Sequence, residues 1–197
     1  HTKFVYRGKN TTIPVGHAFP YHCTQEVYDE IGRQMQAAVS ATGADQCSVN
    51  ADVFVDGNKV SIIEMGGRTG ATCIPELISI YYGFDFYEKM LRSALGEQVE
   101  FNCTGSQPCM AKLLLSPVEG KITSIDKEGI RTLEEQGVTV SLDFPVGHKV
   151  FAMADGTDRI GHIIACTEEE SQLDAWMMQV YRCICVDGET LEDIWKR

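Results

Sequence analysis

Apolar residues recur along this chain at two spacings, and each change of spacing marks an element. In "HAFPYHCTQEVYDEIGRQMQAAVSATG" Val27, Ile31, Met35 and Ala38 fall at helical intervals. Thr24 stands where an N-cap belongs and Gly43 ends the run, so the stretch predicts one amphipathic helix. "CSVNADVFVDGNKVSIIEMGG" then holds two β-rich runs around Asp56, Gly57 and Asn58, which is a hairpin signal. A short helix over "IPELISIYYG" closes at Gly83, and Asp85 caps a second one, "FYEKMLRSAL", closed by Gly96.

The segment "GEQVEFNCTGSQPC" is polar and lacks periodicity, so residues 97–108 read as a linker or crossover between a region 1–96 and a region 109–197. Beyond it, "MAKLLLSPVEGKITSI" reads as strand, turn, strand, and "VTVSLDFPVGHKVFAM" as a strand pair around Pro145 to His148. "RIGHIIACTEEESQLDAWMMQVYRCICV" predicts a strand and then a helix. Thr167 and Glu170 suggest a capping box for that helix, with Leu173, Trp176, Met177, Val180 and Ile184 on one face. The polar tail from Asp187 is expected to fray. There is no internal repeat and no low-complexity tract, and the class predicted is α+β throughout.

With 197 residues, 44% of them hydrophobic and 23% charged, the chain fits one large domain or two small ones with a real core. A net charge of -11 and the lack of any basic run remove the phosphate-neutralising surface that nucleic acid or an anionic membrane would require. No apolar run approaches the roughly 20 residues of a membrane span, and no signal sequence opens the chain, so a soluble, cytoplasmic protein is expected. The eight cysteines form no C-x-x-C pair; Cys47, Cys73, Cys166 and Cys183 sit in or beside apolar runs, as buried reduced thiols do. The chain begins at His1, directly on strand-like "TKFVYRG", which reads as a piece of something longer.

The chemistry concentrates in "VSIIEMGGRTGATCI". Three of the four residues before Glu64 are apolar, so an acid stands at the rim of a core, where an unpaired charge is costly. A three-residue loop at the hairpin tip would put Asp52 directly opposite Glu64; a loop one residue shorter would leave them diagonal, within about 8 Å. Facing like charges destabilise a ladder unless a cation lies between them, and two carboxylates without Cys or His suit Mg²⁺ or Mn²⁺ completed by phosphate and water. Gly66, Gly67 and Gly70 let backbone approach a ligand, and Arg68 offers a charged fork for carboxylate or phosphate. The plainer alternative is that Asp52 and Glu64 are exposed strand-end acids and Arg68 a surface residue.

The order acid, hairpin, acid, glycines, arginine resembles the second half of the ATP-grasp fold, in which an acid on one strand precedes a strand ending in Glu-x-Asn-x-Arg. Asp52 matches the first acid and "EMGGR" the motif, which makes Glu64 the second metal ligand and Arg68 the substrate-side arginine. Gly66 occupies the place of the usual asparagine, so a second metal should be held more weakly or completed by water. "IPVGHAFP" is similar to the glycine-histidine-x-x-proline loop of the amino-acid ligase branch, with His17 the candidate for contact with the reacting acyl group. "RTGATCIPELISIYYGFDF" resembles the stretch after the motif arginine, where Gly66, Gly67 and Thr72 would line the substrate pocket. His22, His148 and His162 match no such pattern and read as structural or exposed.

The resemblance implies an antiparallel sheet with flanking helices, the C-terminal half of an ATP-grasp fold, followed by a small α+β lobe. It implies ATP and Mg²⁺ (or Mn²⁺) as cofactors, and small-molecule carboxylate and amine substrates joined through an acyl phosphate. It also implies an N-terminal lobe of the same protein carrying the phosphate loop and adenine pocket, without which the piece should not turn over. A homo-oligomer stays open. Two other readings stand beside the ligase: a carbamoyl-phosphate-synthase-like or carboxylase-like enzyme activating bicarbonate, and a non-catalytic binding or assembly domain, for which Gly66 speaks.

Overall fold

The computed structural model describes residues 1–7 and 12–197; Gly8, at the end of the strand-like opening stretch, lies outside them. The chain starts with β1 (Thr2–Arg7) and β2 (Thr12–Phe19). It continues through α1 (Gln25–Thr42), β3 (Asn50–Asp56), β4 (Lys59–Gly66), α2 (Ile74–Tyr82) and α3 (Phe86–Ala94). There follow β5 (Cys109–Leu115), β6 (Gly120–Ile125), α4 (Lys127–Glu135), β7 (Val138–Leu142), β8 (Lys149–Val150) and β9 (Arg159–Ala165). α5 (Glu170–Arg182), β10 (Ile184–Val186), β11 (Glu189–Thr190) and α6 (Leu191–Trp195) close it. The class is α+β, as expected: antiparallel sheets with flanking helices.

Two compact units divide these elements. One joins His1–Pro20 to Gln107–Arg197, and the other is Tyr21–Ser106. The boundary differs from a break at 96, because β2 pairs with β5 (His17 opposite Ala111) and so carries the first 20 residues into the later unit's sheet. That five-stranded sheet runs β1-β2-β5-β9-β7. Its central strand "CMAKLLL" is buried at every position except Lys112, the continuous apolar run of a strand covered on both faces. A second sheet of the same unit runs β11-β10-β6-β8. The sequence neighbours β5 and β6, and β7 and β8, therefore do not pair as hairpins; each member joins a different sheet.

The core of this unit gathers Leu114, Ile163, Leu173, Val180 and Ile184 with Leu133 from α4. The spacing of apolar residues missed α4, which shows only Ile130 and Leu133 inward; its start is nevertheless set by the Asp126 carboxylate, which accepts from the Glu128 and Gly129 N–H groups at 3.1 Å. α5 begins later than a Thr167 cap would place it. The Thr167 hydroxyl accepts the Glu169 N–H at 3.0 Å, Glu169 is the N-cap, and no capping box forms. The helix also ends at Arg182, so Ile184 meets the core from β10 and not from the helix face.

The tail does not fray. Leu191 is fully buried, and the Trp195 indole N–H donates to the Leu115 carbonyl at 3.2 Å. The Leu115 N–H in turn donates to the buried Tyr181 hydroxyl at 2.9 Å, so the end of β5, α5 and α6 share one polar link inside the apolar core. At its rim, Glu192 accepts from Arg182 (2.7 and 2.9 Å) and Lys196 (2.8 Å). Hydrogen bonds from Arg182 and then Lys196 hold its carboxyl down at about 2 against an ordinary 4.5.

In the other unit α1 starts at Thr24, whose hydroxyl accepts the Val27 N–H, and stops at Gly43 in the left-handed conformation. α1 packs along β4, with Val27 and Val60 buried. α2 and α3 carry the expected glycines, Gly83 and Gly96, at their C-terminal ends, and residues 97–108 contain no helix or strand. All eight cysteines are free. Cys47 and Cys166 are exposed where burial was expected, because Cys47 lies in the loop before β3 and Cys166 just past the end of β9. Cys109, inside β5, is buried instead, and burial pushes its thiol up to about 12. No helix among the described residues is long and apolar enough to cross a membrane.

Two outcomes follow from the anchored tail. Leu191→Ala should destabilise this unit by about 2–5 kcal/mol in urea unfolding, as deletion of a buried leucine side chain does; a loss near zero would mean the tail is not docked. Because the folded Glu192 carboxyl lies below its unfolded value, its contribution is complete above about 4.5 and disappears as pH falls toward about 2. The stability difference between wild type and Glu192→Gln, followed by thermal unfolding, should shrink across that window.

Candidate functional site

The β3–β4 hairpin turns through Gly57 and Asn58, with Asp56 opposite Lys59 and Gly57 at φ +57°, the positive angle that tight hairpin turns need at their first central position. A two-residue turn by itself sets Asp52 against Ile63. The register shifts between Asp52 and Val53, however, leaving Ile63 as the extra residue of a β-bulge and placing Asp52 directly opposite Glu64. The shorter loop thus coexists with the direct pairing that the sequence linked to the longer one. Bulge residue Ile63 is 68% exposed, and Phe54, two residues along the strand from Asp52, is 60% exposed. The face carrying the acids is open, while Val60 is buried on the α1 side.

The same register pairs Asn50 with Gly66. Residues two apart on a strand share a face, so Asn50, Asp52, Glu64 and Gly66 form a four-residue patch. Asn50 escaped the sequence analysis, although it stands two positions before Asp52 as Gly66 stands two after Glu64, so any register that faces the two acids also faces these two.

After Gly66 the chain leaves the ladder. The Arg68 N–H donates back to the Gly66 carbonyl at 2.9 Å, and the exposed guanidinium donates through Nη1 to the Thr69 carbonyl at 2.8 Å. Gly70 is buried, and a Cβ there would overlap the Ile74 side chain and come within 2.8 Å of Asn50 Oδ1. Thr72 and Cys73 follow at φ +58° and +64°, a left-handed step that a β-branched residue adopts only under strain and that turns the loop into α2. α2 is braced on α3 by the Tyr87 hydroxyl, which donates to Glu76 at 2.7 Å; burial, and then this carboxylate, raise the Tyr87 hydroxyl to about 12.

Gly67 and Arg68 form one wall of a cleft of about 450 Å³. Cys47 and Gln46 line it beside them, and Met90 of α3 and Phe101 line it as well. Thr72 does not line this cleft; it sits at the entry to α2. His17 belongs to the other unit and is no loop residue. It lies within β2, 3% exposed, opposite Lys3 and Ala111, with the His1 ring edge-on at 4.7 Å. Gly16 is strand as well, opposite Lys112, and a Cβ there would run into the Ala111 carbonyl of β5, which leaves room for glycine alone.

Among the described residues no group of three or more His, Cys, Asp or Glu side chains could hold a metal ion. A zinc-like site is therefore not built. A hard divalent cation needs less from the protein, one or two carboxylates beside phosphate and water, and the facing Asp52 and Glu64 fit that requirement.

No known family profile matches the chain. A curated relative, the uncharacterized protein y4rH of Sinorhizobium fredii, is 25% identical over 168 residues, covering 84% of this chain and 35% of the relative. Phosphoribosylglycinamide synthetase from Anaerococcus prevotii superposes with a TM-score of 0.76 at 23% identity, over 93% of this chain and 47% of its own. L-amino acid ligase from Bacillus licheniformis gives 0.70 at 18% identity, over 90% and 46%. The biotin carboxylase–β,γ-ATP complex from Campylobacter jejuni gives 0.66 at 16%, over 91% and 41%. The chain thus spans less than half the length of these proteins.

The loop geometry makes Gly70→Ala informative. The added methyl should cost about 1–3 kcal/mol, as overpacking does, in urea unfolding of the chain, whereas Gly57→Asn at the open hairpin tip should cost well under that; equal costs would mean the loop is not packed as described.

Proposed function

We propose, on the premise that this chain has the C-terminal half of the ATP-grasp fold, that it forms the metal- and substrate-side part of an ATP- and Mg²⁺-dependent carboxylate–amine ligase. The observation that carries the reading is the bulged register that sets Asp52 and Glu64 face to face on an open sheet surface, one loop away from Arg68. Asp52 and Glu64 would hold the Mg²⁺. When bound, that ion offsets charge on the phosphoryl group passing from ATP to the substrate carboxylate.

The chain's own groups do the rest. Arg68, which lines the cleft, would hold the substrate carboxylate by its fork of N–H donors and then stabilise the oxyanion formed when the amine attacks the acyl phosphate. Gly66 and Gly67 leave the backbone bare where the substrate lies against it, and left-handed Thr72 fixes the loop's exit into α2. Buried within β2, His17 carries no step in this proposal. Adenine binding and the phosphate loop would fall to an N-terminal lobe of the same protein; this chain covers 47% and 46% of the two ligase-class neighbours, which leaves room for one.

A second reading keeps the acids and Arg68 and replaces the substrate by bicarbonate. It is favoured by the likeness to biotin carboxylases, one of them bound to bicarbonate, and opposed by glycine at position 66. ADP release by the full-length protein with Mg-ATP, supplied with amino-acid pairs or with bicarbonate, separates the two. ADP that depends on an amino-acid pair and falls about 100-fold or more in Glu64→Ala, on the scale of losing a group that stabilises transition-state charge, is expected. Dependence on bicarbonate would move the reading to the carboxylase class, and silence with every substrate would leave a non-catalytic binding or assembly domain.

A further inference from the structure

Two carboxylates repel each other, and a third acid beside them would deepen that repulsion. A neutral carboxamide oxygen is also a hard ligand and adds no charge. On the four-residue patch just one side chain has that chemistry. Asn50 lies next to Asp52 on β3 and directly across the ladder from Gly66, which has no side chain to occupy the space between them. The amide end reaches toward the glycine loop: Asn50 Oδ1 lies where a Cβ on Gly70 would come within 2.8 Å of it. Asn50 thus stands between the acid pair and the loop that carries Arg68, with a glycine on either side giving it room.

We infer that Asn50 supplies, from the facing strand, the side-chain oxygen that position 66 lacks, completing an Asn50–Asp52–Glu64 oxygen set for a divalent cation. The inference rests on the metal reading proposed above and adds to it a ligand contributed by β3 in place of β4. A Cβ at position 66 would meet nothing nearer than the Arg68 side chain at 3.8 Å, so the backbone there accepts a side chain from the opposite strand of the ladder.

The test uses Mn²⁺ alone and the 197-residue chain. Binding is read by the loss of the free-ion EPR signal and by paramagnetic broadening of hairpin amides, with thermal unfolding as the check on folding. Asn50→Ala should weaken Mn²⁺ binding by about tenfold or more, the scale at which groups supporting a metal site act. The double variant Asn50→Ala/Gly66→Asn should recover most of that loss. A residue that merely braces the loop would not be replaced from position 66, so a weakened single variant without recovery overturns the inference. Asn50→Asp preserves size and serves if the alanine variant does not fold: tighter Mn²⁺ binding is expected, and unchanged binding overturns the inference. Mn²⁺ binding lost in Glu64→Ala but unchanged in Asn50→Ala would refute the role of Asn50 alone, whereas a wild-type chain that does not bind Mn²⁺ would overturn the metal reading itself.

Discussion

Two carboxylates facing each other across a two-stranded ladder push it apart, and the β3–β4 hairpin brings Asp52 and Glu64 into that position by inserting Ile63 as a bulge. An unbulged hairpin with this turn would set an acid against an isoleucine and scatter the polar groups. The bulge converts an alternating pattern into a cluster: Asn50, Asp52, Glu64 and Gly66 on one face, with Val60 buried on the α1 side. In the function proposed above a cation would offset that repulsion, and the loop that follows β4 starts beside the pair. β4 ends at Gly66, and the loop beyond it places Arg68 on the wall of the cleft.

The loop depends on side chains being absent as much as on those present. Gly70 packs where any Cβ would strike Ile74, and Thr72 and Cys73 hold left-handed angles that turn the chain into α2. Strain of this kind costs on the order of 1–3 kcal/mol per residue and persists only when the surroundings impose it. Here they are the buried first turn of α2, with Ile74, Pro75 and Leu77, and the hydrogen bond from Tyr87 to Glu76.

The other unit is held by different means. Its central strand β5 is apolar on both faces except at Lys112, which escapes burial cost by donating to Glu170 and Asp174 of α5 at 2.7 and 2.6 Å while lying over the Phe4 ring. Tyr181 and Trp195 meet at the backbone of Leu115, so the last helix of the chain is tied to the middle of the sheet. Neighbours with 13% to 23% identity share this fold, as expected where burial pattern and a few polar links define the architecture more than residue identity does.

Local chemistry is what the sequence determined by itself. Thr24 and Gly43 bound α1, Asp85 starts α3, and Gly57 turns the hairpin, because caps and turns are made by neighbouring residues whatever the rest of the chain does. The order of Asp52, Glu64, the glycines and Arg68 was legible for the same reason. Partners distant in sequence were not. Only the tertiary structure placed β2 against β5, separated β5 from β6 and β7 from β8, docked the polar-looking tail through Leu191 and Trp195, and showed Gly16 and His17 to be strand. It alone set the bulge that makes Asp52 meet Glu64 and Asn50 meet Gly66, since a ladder's register comes from packing one face of both strands at once and no single stretch of sequence records it.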